Sequence, residues 1–315
     1  MKEIGGYLEL ELSSGKEYYS NLISVNTARN AFVYIAKAKK IKKVFLPYFL
    51  CDSVSEVCER EEIKYSFYHI DRQFKPIIDF LLGENQYLYI VNYYGQISNK
   101  EIREFKTKYK NIIIDNVQAF FQEPIEKIDT IYSCRKYFGV SDGAYLSTEK
   151  RCQENIETDI SKDRMKHILG RFESSASDYY SDFHNNDESF KGLPLKYMSK
   201  LTHNLLSQID YPKVMQKRNE NWSFLNKQLK SKNKLDLIQT GAPYCYPFYI
   251  KNGINIKKQL STKKIYIPTL WPNVLNQENC IEKDYAENIL PLPIDQRYGL
   301  EEITYLLEEL MKCIG

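Results

Sequence analysis

Several short stretches of this chain place reactive residue types where strands end and helices begin. Asn26-Thr27-Ala28-Arg29 opens an apolar-periodic run. Asp115-Asn116-Val117-Gln118 closes the run Ile112-Ile113-Ile114. Ser133-Cys134-Arg135-Lys136 closes another short run, with Gly139-Val140-Ser141-Asp142-Gly143 behind it. A helix N-terminus supplies free N–H groups and positive potential, which suits a phosphate. A carboxylate at a strand end can pair with a protonated ring nitrogen. A lysine in a partly desolvated pocket beside other cations can lose its proton and attack a carbonyl. A phosphate cradle, an acid partner for a pyridinium nitrogen and a Schiff-base lysine are the parts that pyridoxal 5'-phosphate requires.

Each of these residues also has an ordinary structural use. Asp115 and Thr27 fit helix caps, and Lys136 fits a solvated lysine after a strand. The uncharged strand before Asp115 implies partial burial, however, and a buried charge needs a partner.

The elements that must position these residues alternate helix and strand. Ala31, Tyr34, Ile35 and Ala38 share a helical face, with Asn26 and Thr27 as cap candidates. Strands are expected at Val44–Leu46, Tyr87–Val91, Asn111–Asp115, Thr130–Tyr132 and Ala144–Leu146, and a helix through Ile102 and Phe105. Such alternation predicts a mostly parallel sheet covered on both faces, with ligands beyond the carboxyl ends of the strands. Asn92, Asp115 and Ser133 sit at such ends. Ser174–Ser189 reads as a polar loop, and Met198–Leu229 as helical, with Leu201, Leu205 and Ile209 along one face. A strand at Tyr246–Ile250 and a closing helix with the stripe Ile303, Leu306, Leu307 and Leu310 complete a smaller α+β unit. Two domains follow: a large one over 1–210 and a small C-terminal one over 211–315.

Composition excludes several classes. With 315 residues the chain buries a sizeable core without staples, and its net charge of +3 is interspersed, leaving no continuous basic field for nucleic acid. Seven scattered cysteines lack metal-ligand or redox spacing, which points to reduced thiols, no metal site and a cytoplasmic location. The four histidines are widely separated. The N-terminal segment Met1–Gly6 reads as no signal peptide, and no stretch is long enough to span a bilayer. GxGxxG, GxxxxGK[ST] and HExxH motifs are absent.

The order of these motifs resembles the DegT/DnrJ/EryC1/StrS family of sugar aminotransferases, within the fold-type I pyridoxal-phosphate enzymes. The resemblance covers nearly the whole chain. It rests on Asn26-Thr27-Ala28, Leu46-Pro47-Tyr48-Phe49, Ile90-Val91-Asn92-Tyr93-Tyr94-Gly95, Asp115 with Gln118, Ser133 with Lys136, and Leu290-Pro291-Leu292-Pro293 through Leu310. It implies Lys136 as the cofactor lysine and proton shuttle, and Asp115 as the pyridinium partner. Gln118 would meet the cofactor's phenolic oxygen, Ser133 and the N–H groups of Thr27 and Ala28 its phosphate, and Tyr48 or Cys51 its ring face. Asn92 would line the pocket mouth, and Arg135 would hold phosphate or a substrate acid, or lie on the surface. The sequence departs from the family in a shorter serine–lysine interval and in Leu195-Lys196-Tyr197-Met198, which lacks the asparagine that the family lends to a partner subunit.

The resemblance implies an aminotransferase that moves an amino group from an amino acid, glutamate, to a nucleotide-linked keto sugar, acting as a homodimer in surface-polysaccharide or glycan precursor synthesis. Other readings stand beside it. A sugar dehydratase of the same family would have replaced Lys136. Ser133-Cys134-Arg135-Lys136 also reads as the SxxK of penicillin-interacting enzymes, but no KTG partner accompanies it. A family-like fold without turnover could act as a binding or assembly partner.

Overall fold

The computed structural model describes residues 4–278 and 280–314; Met1–Glu3 of the N-terminal segment lie outside the described residues. Seven strands form one sheet: β1 (Ile23–Val25), β2 (Lys43–Pro47), β3 (Lys64–Tyr68), β4 (Gln86–Val91), β5 (Ile112–Asp115), β6 (Asp129–Ser133) and β7 (Ala144–Ser147), in the order β1-β7-β6-β5-β4-β2-β3. The strands from β3 across to β6 run parallel, and β7 runs against both β6 and β1. All four residues of β5 are buried, as expected of a central strand covered on both faces.

Helices α1 (Ala28–Lys39), α2 (Ser53–Arg60) and α3 (Asn99–Tyr109) connect the parallel strands. Local chemistry sets their ends. Thr27 caps α1, and Lys40 closes it in the left-handed conformation. Ser98 and Glu101 form a reciprocal capping box on α3.

Beyond β7 come α4 (Lys166–Glu173), α5 (Tyr180–Ser189), α6 (Lys200–Ser207) and α7 (Tyr211–Leu229). Then follow β8 (Tyr246–Tyr249), α8 (Gly253–Thr262), α9 (Ile281–Asn288), β9 (Ile289–Leu292) and α10 (Leu300–Ile314). Strands β8 and β9 pair antiparallel, and Trp222, Leu225, Phe248, Leu260, Leu290 and Leu310 build a core beside them. No described helix is long and apolar enough to cross a membrane.

Two expectations are corrected. The expected loop Ser174–Ser189 contains the helix α5, despite weak helix formers such as Ser, Asp and Asn. Tertiary packing overrides propensity there: Asn186 donates to the Ser141 carbonyl at 3.4 Å, and Phe190 just beyond the helix is buried. The helical pattern of Met198–Leu229 is two helices. The break falls where the Asp210 carboxylate accepts the Lys213 N–H at 3.1 Å and Pro212 enters the first turn of α7.

Candidate functional site

Asp115 ends β5, and its carboxylate is buried. One oxygen accepts the Val117 N–H at 2.9 Å, and the other accepts the Tyr89 hydroxyl at 2.9 Å. Burial pushes the carboxyl up to about 6, against the opposing pull of these hydrogen bonds and of Lys136. An acid held in this way is matched to a cationic partner that would restore its charge.

Lys136 ends the single 3-10 turn Cys134–Lys136 that follows β6. Its neighbour Arg135 is taken by Asp187 at 2.6 Å and lies over the Phe190 ring at 4.3 Å. The Lys136 side chain, by contrast, is exposed and has no hydrogen-bond or ion-pair partner among the described residues. Its loop closes on itself: Cys134 N–H donates to the Gly143 carbonyl at 3.0 Å, and Phe138 N–H to the Cys134 carbonyl at 2.9 Å. Ser133 is buried at the head of this turn, and its side chain makes no capping bond.

The lysine loop is tied directly to the start of α1. Gly143 N–H donates to the Asn26 carbonyl at 2.6 Å. Gly143 adopts φ +109, and an added Cβ would lie 2.9 Å from the Thr202 side chain, so glycine is required there. Thr27 Oγ1 accepts the Asn30 N–H at 3.2 Å, which leaves the first-turn N–H groups of Ala28 and Arg29 without intrahelical acceptors. Asn26 itself is committed to structure, donating to the Pro194 carbonyl at 3.0 Å and accepting from Asn30 at 2.9 Å.

The other expected site residues divide. Gln118 is buried, and its side-chain carbonyl accepts the Tyr94 N–H at 2.8 Å; its backbone carbonyl accepts the Tyr137 hydroxyl at 2.9 Å. It thus stands between β5 and the lysine loop. Asn92 is spent on its own surroundings: its amide donates to Asn116 at 2.9 Å and Gln122 at 2.8 Å, and its carbonyl accepts the Ile97 N–H at 2.8 Å. Tyr48 stacks at the sheet edge on Phe67 at 4.9 Å and on His69 at 4.5 Å. Cys51 is exposed, and its thiol meets the Ser53 hydroxyl at 2.8 Å. Burial first, then Asp115, then the Cys51 thiol hold the Tyr89 hydroxyl well above its ordinary pKa.

Sequence reasoning missed three contributors. Tyr89 reads as one more apolar strand residue, and nothing in its spacing marks it. Asp142 is buried behind the lysine loop, where it accepts from Ser199 and from Thr202 and faces Arg164 at 3.6 Å. Arg218 was legible: it falls at helical spacing between Val214 and Trp222, a cation inside an apolar stripe. It donates to the carbonyls of Tyr137, Pro243 and Tyr244, and its guanidinium covers the Tyr137 ring at 4.4 Å.

No protein-family model matches this sequence, and no curated protein matches it. Solved structures match its fold. NtdA from Bacillus subtilis, crystallised with bound cofactor PMP, aligns with a TM-score of 0.66 at 16% identity over 92% of this chain and 72% of that one. A DegT DnrJ EryC1 StrS aminotransferase from Brucella abortus aligns with a TM-score of 0.65 at 14% identity, covering 93% of this chain and 86% of that one. Helicobacter pylori PseC, an aminotransferase involved in the biosynthesis of pseudoaminic acid, gives 0.61 at 12% identity, over 92% and 85% of the two chains. At these identities the likeness is one of architecture, and this chain has the fold of the fold-type I aminotransferases.

Proposed function

We propose that this chain is a pyridoxal-phosphate-dependent aminotransferase. One observation carries the reading: the buried Asp115 carboxylate, the unpartnered Lys136 amine and the capped N-terminus of α1 stand on neighbouring parts of one frame, joined by the Gly143–Asn26 hydrogen bond. The residues fit the cofactor. Asp115 suits a protonated ring nitrogen, Lys136 its aldehyde, and the N–H groups of Ala28 and Arg29 with the Ser133 hydroxyl its phosphate. Gln118 suits the phenolic oxygen and Cys51 the ring face; Tyr48 and Asn92 serve as edge and support. The structures of this fold that hold PMP or are aminotransferases support the same cofactor.

When bound, the cofactor supplies an electron sink that lets an amine and a carbonyl exchange nitrogen. Asp115 would favour a protonated ring nitrogen by offering it a carboxylate held by Val117 and Tyr89. Lys136 would move the proton at the substrate carbon, and its amine, without a partner among the described residues, is available to take it and return it. The α1 terminus and Ser133 would hold the phosphate end, leaving Lys136 and Asp115 to serve the ring. Arg135 serves the loop through its bond to Asp187.

The finer reading extends to substrates and assembly. The amino donor is an amino acid, glutamate, and the acceptor is a nucleotide-linked keto sugar for surface-polysaccharide or glycan precursors, as the motif order and the likeness in fold to PseC, an aminotransferase of pseudoaminic acid biosynthesis, suggest. The enzyme is a cytoplasmic homodimer with a large domain over 1–210 and a small one over 211–315. The core around Trp222 and Phe248 supports a C-terminal unit, while Tyr211, Val214 and Ala242 pack with Phe120 and Tyr137 of the large one. A binding protein without turnover is the second reading, favoured by the exposure of Lys136 in so short a serine–lysine turn.

Borohydride reduction of the cofactor-loaded protein, followed by peptide mass mapping, tests the proposal. A pyridoxyl mass on Lys136, with glutamate-dependent release of 2-oxoglutarate, is expected. Labelled Lys136 without amino transfer selects the binding reading. A protein that takes up no cofactor sinks the enzyme reading and also selects the binding protein.

A further inference from the structure

Two apolar surfaces of this molecule stand open to solvent and root at the same helix. The first is the N-terminal arm. Tyr7, Leu8, Leu10 and Leu12 are exposed, Tyr7 and Leu8 to more than nine-tenths (98% and 91%). Leu8, Leu10 and Leu12 alternate with Glu9 and Glu11, the pattern of a strand with one apolar face. The arm has no strand partner among the described residues, yet its root is fixed. Ser13 N–H donates to the Asn204 side chain of α6 at 2.7 Å, and Asn204 donates to the Glu11 carbonyl at 3.0 Å. Gly15 passes so close to the Ser207 carbonyl that a Cβ would clash with it.

The second surface is the α4–α5 pair, closed tightly where Gly170 meets the Tyr179 ring and where Lys166 bridges Asp182 at 3.0 Å. It leaves Leu169, Phe172, Tyr180 and Phe183 exposed, Phe172 to 89%. Its lead-in also meets α6, through Ser161 and Ser199 at 2.7 Å.

We propose that the arm of one copy covers the α4–α5 pair of a second copy, and reciprocally. This deepens the two-subunit part of the reading above and rests on it; cofactor chemistry is not needed for it. Neither surface covers the other within one chain, and a twofold axis satisfies both at once and closes the assembly. Reach and area agree with this. From Ser13 back to Ile4 an extended arm spans roughly 30 Å at about 3.3–3.6 Å per residue. Each large apolar side chain removes on the order of 60–120 Å² from water. Eight of them at each of two symmetric contacts come to roughly 1,000–2,000 Å², which overlaps the range of stable interfaces. The covered pair is also the clasp of the lysine loop, because Asp187 and Phe190 hold Arg135 beside Lys136. The partner's arm therefore presses on the element that orders the candidate site.

Sedimentation of the full chain over a dilution series tests this, with Leu8→Asp and Phe172→Asp made separately. Both side chains face water, so the folded chain keeps its circular dichroism while the dimer dissociation constant rises at least tenfold in each. Mixing Leu10→Cys with Phe172→Cys copies under mild oxidation is expected to give a linked pair whose disulfide peptide mapping places between positions 10 and 172. A dimer unmoved by both charged variants and no linked pair overturn the arm exchange and leave the two-subunit reading intact. A wild-type chain that stays monomeric overturns both, and borohydride labelling of Lys136 then reports separately on the cofactor.

Discussion

At the scale of single residues, Asp115 decides the pH dependence. Its carboxyl is raised to about 6 by burial. The sign follows from linkage: the folded state without cofactor holds a proton that the unfolded chain has already lost, so burial costs stability as pH rises through about 4 to 6. The shift from 3.8 to about 6 corresponds to roughly 3 kcal/mol at most. Asp115→Asn removes this cost above pH 6, so the cofactor-free variant melts at the same temperature as wild type or higher at pH 7.5. It should also bind the cofactor weakly and lose amino transfer. In the wild type, cofactor affinity falls as pH drops through 6, because the carboxylate that would face the ring nitrogen becomes neutral. A melting scan and a spectroscopic titration at pH 5 and 7.5 measure both effects. A clear loss of stability in cofactor-free Asp115→Asn would show instead that the Val117 and Tyr89 bonds dominate.

At the scale of elements, the site is a loop held between helices. The turn at Cys134–Lys136 is too short to hold its own shape. It borrows order from Gly143 against Asn26, from Asp142 against α6, and from α5 through Arg135. Gly143→Ala forces a side chain into φ +109 and within 2.9 Å of Thr202. The cost should be about 1–3 kcal/mol, read as a lower midpoint in urea. Because Gly143 also feeds the Asn26 carbonyl, cofactor affinity should fall along with stability; a stable variant with unchanged affinity would separate the loop from the α1 cradle. The helix α5 was not legible in the residues Ser174–Ser189. Its formation depends on Phe190 and Asn186 meeting a loop more than 40 positions away in the chain, a contact that local propensity does not encode.

At the scale of the whole molecule, Arg218 of α7 joins the C-terminal part to the lysine loop. Burial lowers the readiness of its guanidinium to hold charge, and its partners are carbonyls and Gln296, with no carboxylate in direct contact among the described residues. Arg218→Met keeps the volume of the stem and strands the carbonyls of Pro243 and Tyr244 without their donors, at a cost of about 2–4 kcal/mol. Gln296 still donates to Tyr137 at 2.7 Å, so the loop should keep part of its order. Calorimetry reads the loss, and a melting point unchanged from wild type would mean that the stripe tolerates the site without its cation.

What the sequence by itself determined is the periodic part of this protein. Apolar strands ending in Asp115 and Ser133, a threonine at the head of α1 and the strand–helix alternation all follow from nearest-neighbour chemistry: burial pattern, capping and turn residues. These suffice for the architecture and for the main candidates, Lys136 and Asp115. The tertiary structure alone decided which candidates face one another. It turned Asn92 and Asn26 to structural bonds and set Tyr48 against Phe67 and His69. It brought Tyr89 to Asp115, and it folded a polar stretch into the helix that clasps Arg135. The physical reason is range. A cap or a strand is fixed by residues a few positions apart, whereas a buried hydrogen bond joins residues that only the assembled core makes neighbours.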